Sequence, residues 1–257
     1  CVGLNDNATA LEVLNRDKQT SRKCVYTYED KYTFSRILTA DSLVFDSHFE
    51  SGNLHSAFRI HPNTEGLTPS SSNRQVYDVY MHPDVHTSGH TQWFFFSVSN
   101  TQLGREVVFN IRNFAKPDSM FNRGMRPLLF STLSMDQKWV RCGHDITYFG
   151  PVANDNFTED AKKKRKKGQP APGVYTMTFS HIFGMTGDTV YFAFCHPYSY
   201  TDLQVYLHGM ERKKNIMGLR YRRTQLCRTL AGNRCDLLTV TAPASCEREL
   251  TSRVLAV

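Results

Sequence analysis

Three histidines are regularly spaced in the segment HPDVHTSGH. On a helix, His82, His86 and His90 would point the same way, as three imidazole ligands of one metal ion must. Pro83 and the Ser88-Gly89 pair interrupt a helix, however, and the flanking residues have the pattern of strands. In a hairpin the spacing alone does not bring the rings together, so the sequence does not favour a metal site here.

A thiol and an imidazole are adjacent at Cys195 and His196. A cysteine beside a histidine base is the arrangement of a catalytic nucleophile. Neighbouring residues of a strand point to opposite faces, so they do not form the required hydrogen bond. We expect a buried cysteine and a histidine at the end of a strand.

Two arginines, Arg123 and Arg126, flank Gly124 and precede Pro127. Two guanidinium groups in a short loop could bind carboxylates through paired hydrogen bonds. They could equally hold the loop in place by donating to backbone carbonyls. The sequence leaves both interpretations open.

A run of basic residues, KKKRKK, extends from Lys162 to Lys167. Such a run could be a nuclear localisation signal or a contact for a polyanion. Loop-like residues flank it on both sides, which favours a solvated insertion. The net charge of +7 is compatible with nucleic acid, an acidic membrane surface or an acidic protein tail as partner.

Several functional classes lack their motifs in this chain. There is no His-Glu-x-x-His, no Gly-x-Ser-x-Gly and no glycine-rich phosphate loop, so the residues alone support no enzyme. The 7 cysteines include no Cys-x-x-Cys pair, which indicates reduced thiols in a cytosolic protein. No stretch reaches the roughly 20 apolar residues that span a bilayer, so no membrane partner is expected.

Short strands separated by turn residues must position these side chains. The predicted strands are residues 43–49, 54–60, 75–81, 91–99, 106–113, 127–132, 138–142, 175–183 and 189–195. The apolar run 93–96 predicts a strand covered on both sides, and the alternation in 107–112 predicts one with a mostly polar face, carrying Asn110 and Arg112. This spacing predicts an antiparallel β-sandwich.

After Pro197 the pattern changes to that of a helix and a hairpin. Ser199 and Asp202 resemble a capping box, and Leu203, Tyr206, Leu207 and Met210 share one face of a helix ending near Lys213. Residues 225–230 and 236–241 then read as two strands of a hairpin.

Three regions are therefore predicted: a weakly structured segment at residues 1–41, a β-sandwich domain at 42–196 and the beginning of a second domain at 197–257. The final residues, 254–257, have the pattern of a buried strand. We therefore expect the chain to stop inside that second domain.

Five stretches together resemble the cytosolic carboxypeptidases, the tubulin-deglutamylating branch of the M14 zinc metallocarboxypeptidases, in the family's order. They are FDSHFESGNL (45–54), DVHTSGHTQWFFFSVSN (84–100), FNIRNFAKPDSMFNRGMRPLLFS (109–131), DTVYFAFCHPYSYTDLQVYL (188–207) and CRTLAGNRCDLLTVTAP (227–243). The resemblance implies a mainly β protein, an antiparallel β-sandwich followed by the truncated start of an α/β zinc-carboxypeptidase domain.

The family resemblance further implies a zinc ion in the full-length parent, where zinc-bound water hydrolyses the peptide bond. In the family, a strand resembling residues 254–257 precedes the zinc ligands, so no catalytic, cofactor-binding or metal-binding residue is assigned here. No cofactor is expected in this fragment, which should be inactive. The implied partners are acidic protein tails such as those of tubulin, and the implied location is the cytoplasm, including microtubules.

Two other classes of function compete with this one. The chain could be a non-catalytic β-sandwich module that binds acidic protein tails. Nucleic-acid binding through Lys162 to Lys167 is the weakest hypothesis, because no recognisable nucleic-acid-reading motif accompanies the basic run.

Overall fold

The structure is a computed structural model that describes residues 20–29, 41–62, 74–87, 89–150, 174–213, 220–241 and 254–256. The strands in these ranges are β1 (Thr20–Thr27), β2 (Val44–Asp46), β3 (Leu54–Pro62), β4 (Arg74–Met81), β5 (Phe95–Ser99), β6 (Glu106–Phe114), β7 (Leu128–Ser131), β8 (Val140–Arg141), β9 (His144–Phe149), β10 (Tyr175–Ile182), β11 (Val190–Ala193), β12 (Arg220–Arg228), β13 (Arg234–Thr241) and β14 (Val254–Ala256). Helix α1 spans Tyr200–Lys213, and a short 3₁₀ helix spans Met120–Arg123.

The chain divides into two compact units. The first comprises residues 1–84 and 89–197, and the second comprises residues 85–88 and 198–257. Helix α1, in the second unit, is too short and too polar to cross a bilayer.

The first unit is built from two sheets. One has six strands in the order β1-β3-β4-β6-β10-β9, and the other has five in the order β2-β5-β11-β7-β8. All neighbouring strands are antiparallel except β4 and β6, which run parallel. The predicted mainly β, largely antiparallel architecture is confirmed.

Phenylalanine rings fill the space between the two sheets. Phe109, on the six-stranded sheet, lies 5.7 Å from Phe96 and 5.1 Å from Phe192, both on the five-stranded sheet. Phe179, beside Phe109, lies 5.7 Å from Phe192. All four side chains are fully buried, and Phe95 on the opposite face of its strand is nearly so. Residues 94–96 are thus covered on both sides, as predicted, whereas Trp93 is half-buried.

The second unit contains α1 and an antiparallel sheet in the order β12-β13-β14. The capping box is confirmed, because Ser199 Oγ accepts from the Asp202 amide at 3.1 Å and Asp202 Oδ2 accepts from the Ser199 amide at 2.8 Å. Leu207 is buried, but Tyr206 is 60% exposed. Leu203 and Met210, predicted for the same face, are half-buried.

Two strands of the first unit were not predicted from the sequence. Strand β1 lies inside the segment expected to be weakly structured, and it pairs with β3 over most of its length. Strand β9 pairs with β10. Both lie at an edge of the six-stranded sheet, where a strand needs only one neighbour and one apolar side.

Candidate functional site

A buried carboxylate lies on the outer face of the six-stranded sheet. Asp78, on β4, is 1% exposed and accepts a hydrogen bond of 2.9 Å from Asn110 Nδ2. Its Oδ2 lies 3.2 Å from Arg22 Nη2 and 3.7 Å from Arg112 Nε. Thr178 Oγ1 donates to Asn110 Oδ1 at 2.9 Å, which extends the network to β10. A buried charge needs such partners, because it has lost its water.

This network occupies the face of 107–112 that was predicted to be mostly polar. Asn110 is fully buried, and the side chain of Arg112 is only 16% exposed. Their polarity serves the Asp78 carboxylate rather than solvent. A sequence pattern reports polarity and does not distinguish a solvated face from a buried network.

A groove of about 600 Å³ lies beside Asp78 on the same sheet. Its lining residues come from β1, β3, β4, β6 and the segment after β4, and they are Arg22, His55, Ser56, Phe58, Tyr80, Met81, Pro83 and Asn113. The Arg22 guanidinium lies 5.0 Å from the Phe58 ring centre and donates to Tyr80 Oη at 2.8 Å. The contacts with Phe58 and Tyr80 both favour a guanidinium cation fixed at this position.

Histidines surround one end of the groove. The His55 and His82 rings lie 4.7 Å apart, and Tyr28 packs edge-on against His82 at 5.1 Å. Burial, followed by the repulsion from His55, lowers the pKa of His82. His82 Nε2 is buried and has no hydrogen-bond partner among the described residues.

Ser56 and His55 form a hydrogen bond although they are adjacent in sequence. Ser56 Oγ lies 3.0 Å from His55 Nδ1, and the register between β3 and β4 shifts at this point. A bulge redirects side chains and so overrides strict alternation. Glu29 Oε1 lies 3.9 Å from His55 Nε2, too far for a hydrogen bond, and Ser56 is 5% exposed. The three groups therefore do not form a working nucleophile, base and carboxylate.

One group of potential metal ligands occurs among the described residues, formed by Glu106, His144 and Asp145. His144 Nε2 lies 3.3 Å from Glu106 Oε1 and 3.9 Å from Asp145 Oδ2. Arg74 Nε lies 3.7 Å from the other Glu106 oxygen, and His144 and Asp145 are exposed. The ion pair between Arg74 and Glu106 and the exposure of the other two side chains account for this cluster without a metal ion.

The spacing His-x-x-Glu, which can supply two zinc ligands, was wrongly taken to be absent from the sequence, and it occurs once, at His208 and Glu211. Both residues lie on α1, with His208 Nδ1 3.5 Å from Glu211 Oε2. Glu211 Oε2 also lies 3.6 Å from Arg223 Nη1. No third ligand joins them within the ranges that the structure describes, and Glu211 is already paired with Arg223.

The three histidines of the HPDVHTSGH segment are placed differently from one another. His82 is half-buried beside the groove, whereas His86 and His90 are exposed. His86 has a positive φ of 56°. Among the described residues they are not grouped as potential ligands of one metal.

The arginine loop ties down backbone. Arg126 donates to the carbonyl of Gly143 through Nε at 3.1 Å and Nη2 at 2.5 Å, and Arg123 pairs with Asp118 at 2.6 Å. Gly124 ends the 3₁₀ helix with φ +92°, a conformation that favours glycine. Of the two interpretations left open by the sequence, Arg126 therefore supports the one in which an arginine holds the loop in place by donating to backbone carbonyls.

The thiol of Cys195 lies 3.9 Å from the backbone carbonyl of its neighbour His196. Cys195 is half-buried, not buried as predicted, because β11 ends at Ala193 and the chain has left the sheet.

The basic run from Lys162 to Lys167 lies outside the described residues.

Comparisons with known proteins place these features in a family. Residues 45–170 match the sequence model of the cytosolic carboxypeptidase N-terminal domain. Cytosolic carboxypeptidase 1 of Mus musculus is 35% identical over 216 residues, covering 83% of this chain and 16% of the relative. Cytosolic carboxypeptidase 2 of Homo sapiens is 36% identical over 217 residues, covering 83% of this chain and 21% of the relative.

A crystal structure of a metallo-carboxypeptidase from Burkholderia cenocepacia is 19% identical, with a TM-score of 0.48, and covers 79% of this chain and 41% of that chain. This chain spans about a sixth of the length of the first curated relatives that it matches.

Proposed function

We propose that this protein is a zinc metallocarboxypeptidase that removes glutamate from acidic protein tails such as those of tubulin. The reason is that residues 45–170 of this chain are a cytosolic carboxypeptidase N-terminal domain. The family match is the observation that carries this proposal. The zinc would activate the hydrolytic water, and we place the enzyme in the cytoplasm, at microtubules. The β-sandwich is its non-catalytic part.

The groove beside Asp78 suits an acidic peptide. Arg22 makes both its contact with Tyr80 and its contact with Asp78 through Nη2, and its side chain is 40% exposed. A guanidinium carries five N–H donors in a rigid fork, so Nε and Nη1 can face an incoming carboxylate. His55 adds a second polar side chain to the lining of the groove.

The aromatic rings around Arg22 hold its charge in one place. Phe58 and Tyr80 lie under the guanidinium at 5.0 and 5.8 Å. A cation that is already fixed loses little conformational entropy when a ligand binds. The groove therefore supplies affinity for glutamate side chains and leaves the bond cleavage to the zinc centre of the enzyme.

The test uses the full-length protein, purified with zinc, and polyglutamylated tubulin as substrate. Release of glutamate, followed by mass spectrometry of the tubulin tails, is expected for the wild type and is expected to stop when zinc is removed. The absence of any glutamate release from the zinc-loaded protein would refute the proposed activity. Tail binding without release would instead favour the non-catalytic module that binds acidic tails.

The role of the groove is tested separately with Arg22→Gln. Loss of one charge-assisted contact, worth about 1.5 kcal/mol, should raise KM about tenfold and leave kcat nearly unchanged. The KM of Arg22→Lys should fall between those of the wild type and Arg22→Gln. Arg123→Gln, which changes an exposed arginine outside the groove, is the matched control. Thermal unfolding of each variant identifies loss of folding. An unchanged KM in folded Arg22→Gln would remove the groove from substrate binding without touching the family assignment.

A further inference from the structure

Two cysteines face each other across the β12–β13 hairpin. Cys227 and Cys235 are register partners in the antiparallel pair, and their side chains are within hydrogen-bonding contact. Neither cysteine is in a disulfide; Cys227 is exposed and Cys235 is half-buried. Sequence reasoning treated the cysteines as dispersed reduced thiols, and the hairpin brings these two together.

The turn and a bulge set this register. Thr229 N donates to Asn233 O at 2.8 Å, and Gly232 N donates to Thr229 O at 2.8 Å. The register shifts between Gln225 and Cys227, which leaves Cys227 opposite Cys235. Opposed residues of an antiparallel pair have Cα atoms about 4.5–5.5 Å apart, inside the roughly 4.4–6.8 Å that a disulfide spans.

We propose that Cys227 and Cys235 are a redox-sensitive site that forms a reversible cross-strand disulfide when a peroxide oxidises it. The Cys227 thiolate attacks one peroxide oxygen, which gives a sulfenic acid and, with a proton from solvent, one water. Cys235 then attacks the sulfenic sulfur, the S–O bond breaks, and a second water leaves with the proton of Cys235. Hydrogen peroxide gains two electrons, and the two thiols lose these two electrons together with two protons.

The two thiols have different roles in this sequence of steps. Cys227 is the exposed partner and meets the oxidant first. Desolvation, followed by the contact with Cys227, raises the pKa of Cys235 and so lowers the fraction of this thiol that is present as thiolate. The resulting bond joins two neighbouring strands of the three-stranded sheet and is removed by a thiol reductant.

The test oxidises the 257-residue chain with one equivalent of hydrogen peroxide and maps the products after alkylation and trypsin digestion. Cleavage after Arg223, Arg228, Arg234 and Arg248 isolates TQLCR and CDLLTVTAPASCER. We expect these two peptides to be joined, with the loss of two hydrogen atoms, and to separate after reduction. Cys246 shares the second peptide, so the experiment is repeated with Cys246→Ser, which should retain the link.

Single substitutions then separate the two roles. Cys235→Ser should accumulate a sulfenic acid at Cys227 that dimedone traps, and Cys227→Ser should leave Cys235 reduced at the same dose. Cys195→Ser, which removes a half-buried thiol of the other unit, is the matched control and should retain the link. Over-oxidation of Cys227 without a link, links only between separate molecules, or loss of the link in Cys246→Ser would each overturn the proposal.

Discussion

The imidazole of His181 makes the stability of the β-sandwich unit depend on pH. Its ring packs against Phe183 at 5.2 Å and Phe192 at 5.5 Å at the end of β10. Burial, followed by the nearby His144, lowers the pKa of His181 from 6.5 to about 4. The folded protein therefore keeps this ring neutral at pH values where the unfolded chain protonates it.

The size of the effect follows from the two pKa values. A fall from 6.5 to about 4 corresponds to about 3 kcal/mol, at 1.36 kcal/mol for each pKa unit. Because the folded pKa is the lower one, this stability is fully present above the unfolded value of 6.5 and is lost as the pH falls through 4. About 2 kcal/mol of it is already lost near pH 5.

The assay compares wild type with His181→Gln by urea unfolding near pH 7 and near pH 5. Both tryptophans, Trp93 and Trp139, lie in the first unit, so their fluorescence reports its unfolding. We expect wild type to be the more stable at the higher pH and its advantage to shrink by about 2 kcal/mol at the lower one. His196→Gln, at an exposed histidine, is the control. Equal pH dependence in wild type and His181→Gln would refute this account of His181.

Three further predictions concern other features of the chain. Asp78→Ala leaves two guanidinium groups without their buried carboxylate and should cost about 3–5 kcal/mol in urea unfolding, whereas Asp78→Asn should cost less. Ser199→Ala removes the helix cap and should cost about 1 kcal/mol, seen as faster amide exchange at the start of α1. Replacing Lys162 to Lys167 by serine should change stability by no more than about 0.5 kcal/mol. A kcat/KM loss largest at low salt in the full-length enzyme would show instead that the run steers acidic tails.

The central strands could be predicted because their apolar residues are numerous and regular. Residues 54–60, 75–81 and 106–113 were predicted, and the structure has Leu54–Pro62, Arg74–Met81 and Glu106–Phe114. Such strands bury both faces or alternate strictly, and that pattern is visible without knowledge of their neighbours. The capping box at Ser199 could be predicted for a similar reason, since all its atoms lie within one helical turn.

The edge strand β1 could not be predicted in this way. Its sequence, TSRKCVYT, is mostly polar, and only Val25 and Tyr26 are fully buried. Its polar side chain Arg22 reaches across the sheet to Tyr80 and Asp78, which are distant in sequence. The groove depends on these contacts, so the candidate site was out of reach of any reasoning that considers one segment at a time.

The cysteine pair illustrates why motif spacing alone is a poor guide to reactive thiols. The hairpin was predicted with strands at 225–230 and 236–241, which leaves Cys235 outside both strands. In the structure β12 ends at Arg228, two residues earlier than predicted, and β13 begins at Arg234 and includes Cys235. Because the turn of a hairpin sets the register of its strands, this difference in the position of the turn decides which side chains lie opposite each other. Two thiols separated by seven residues carry no recognised motif, yet the closure makes them partners.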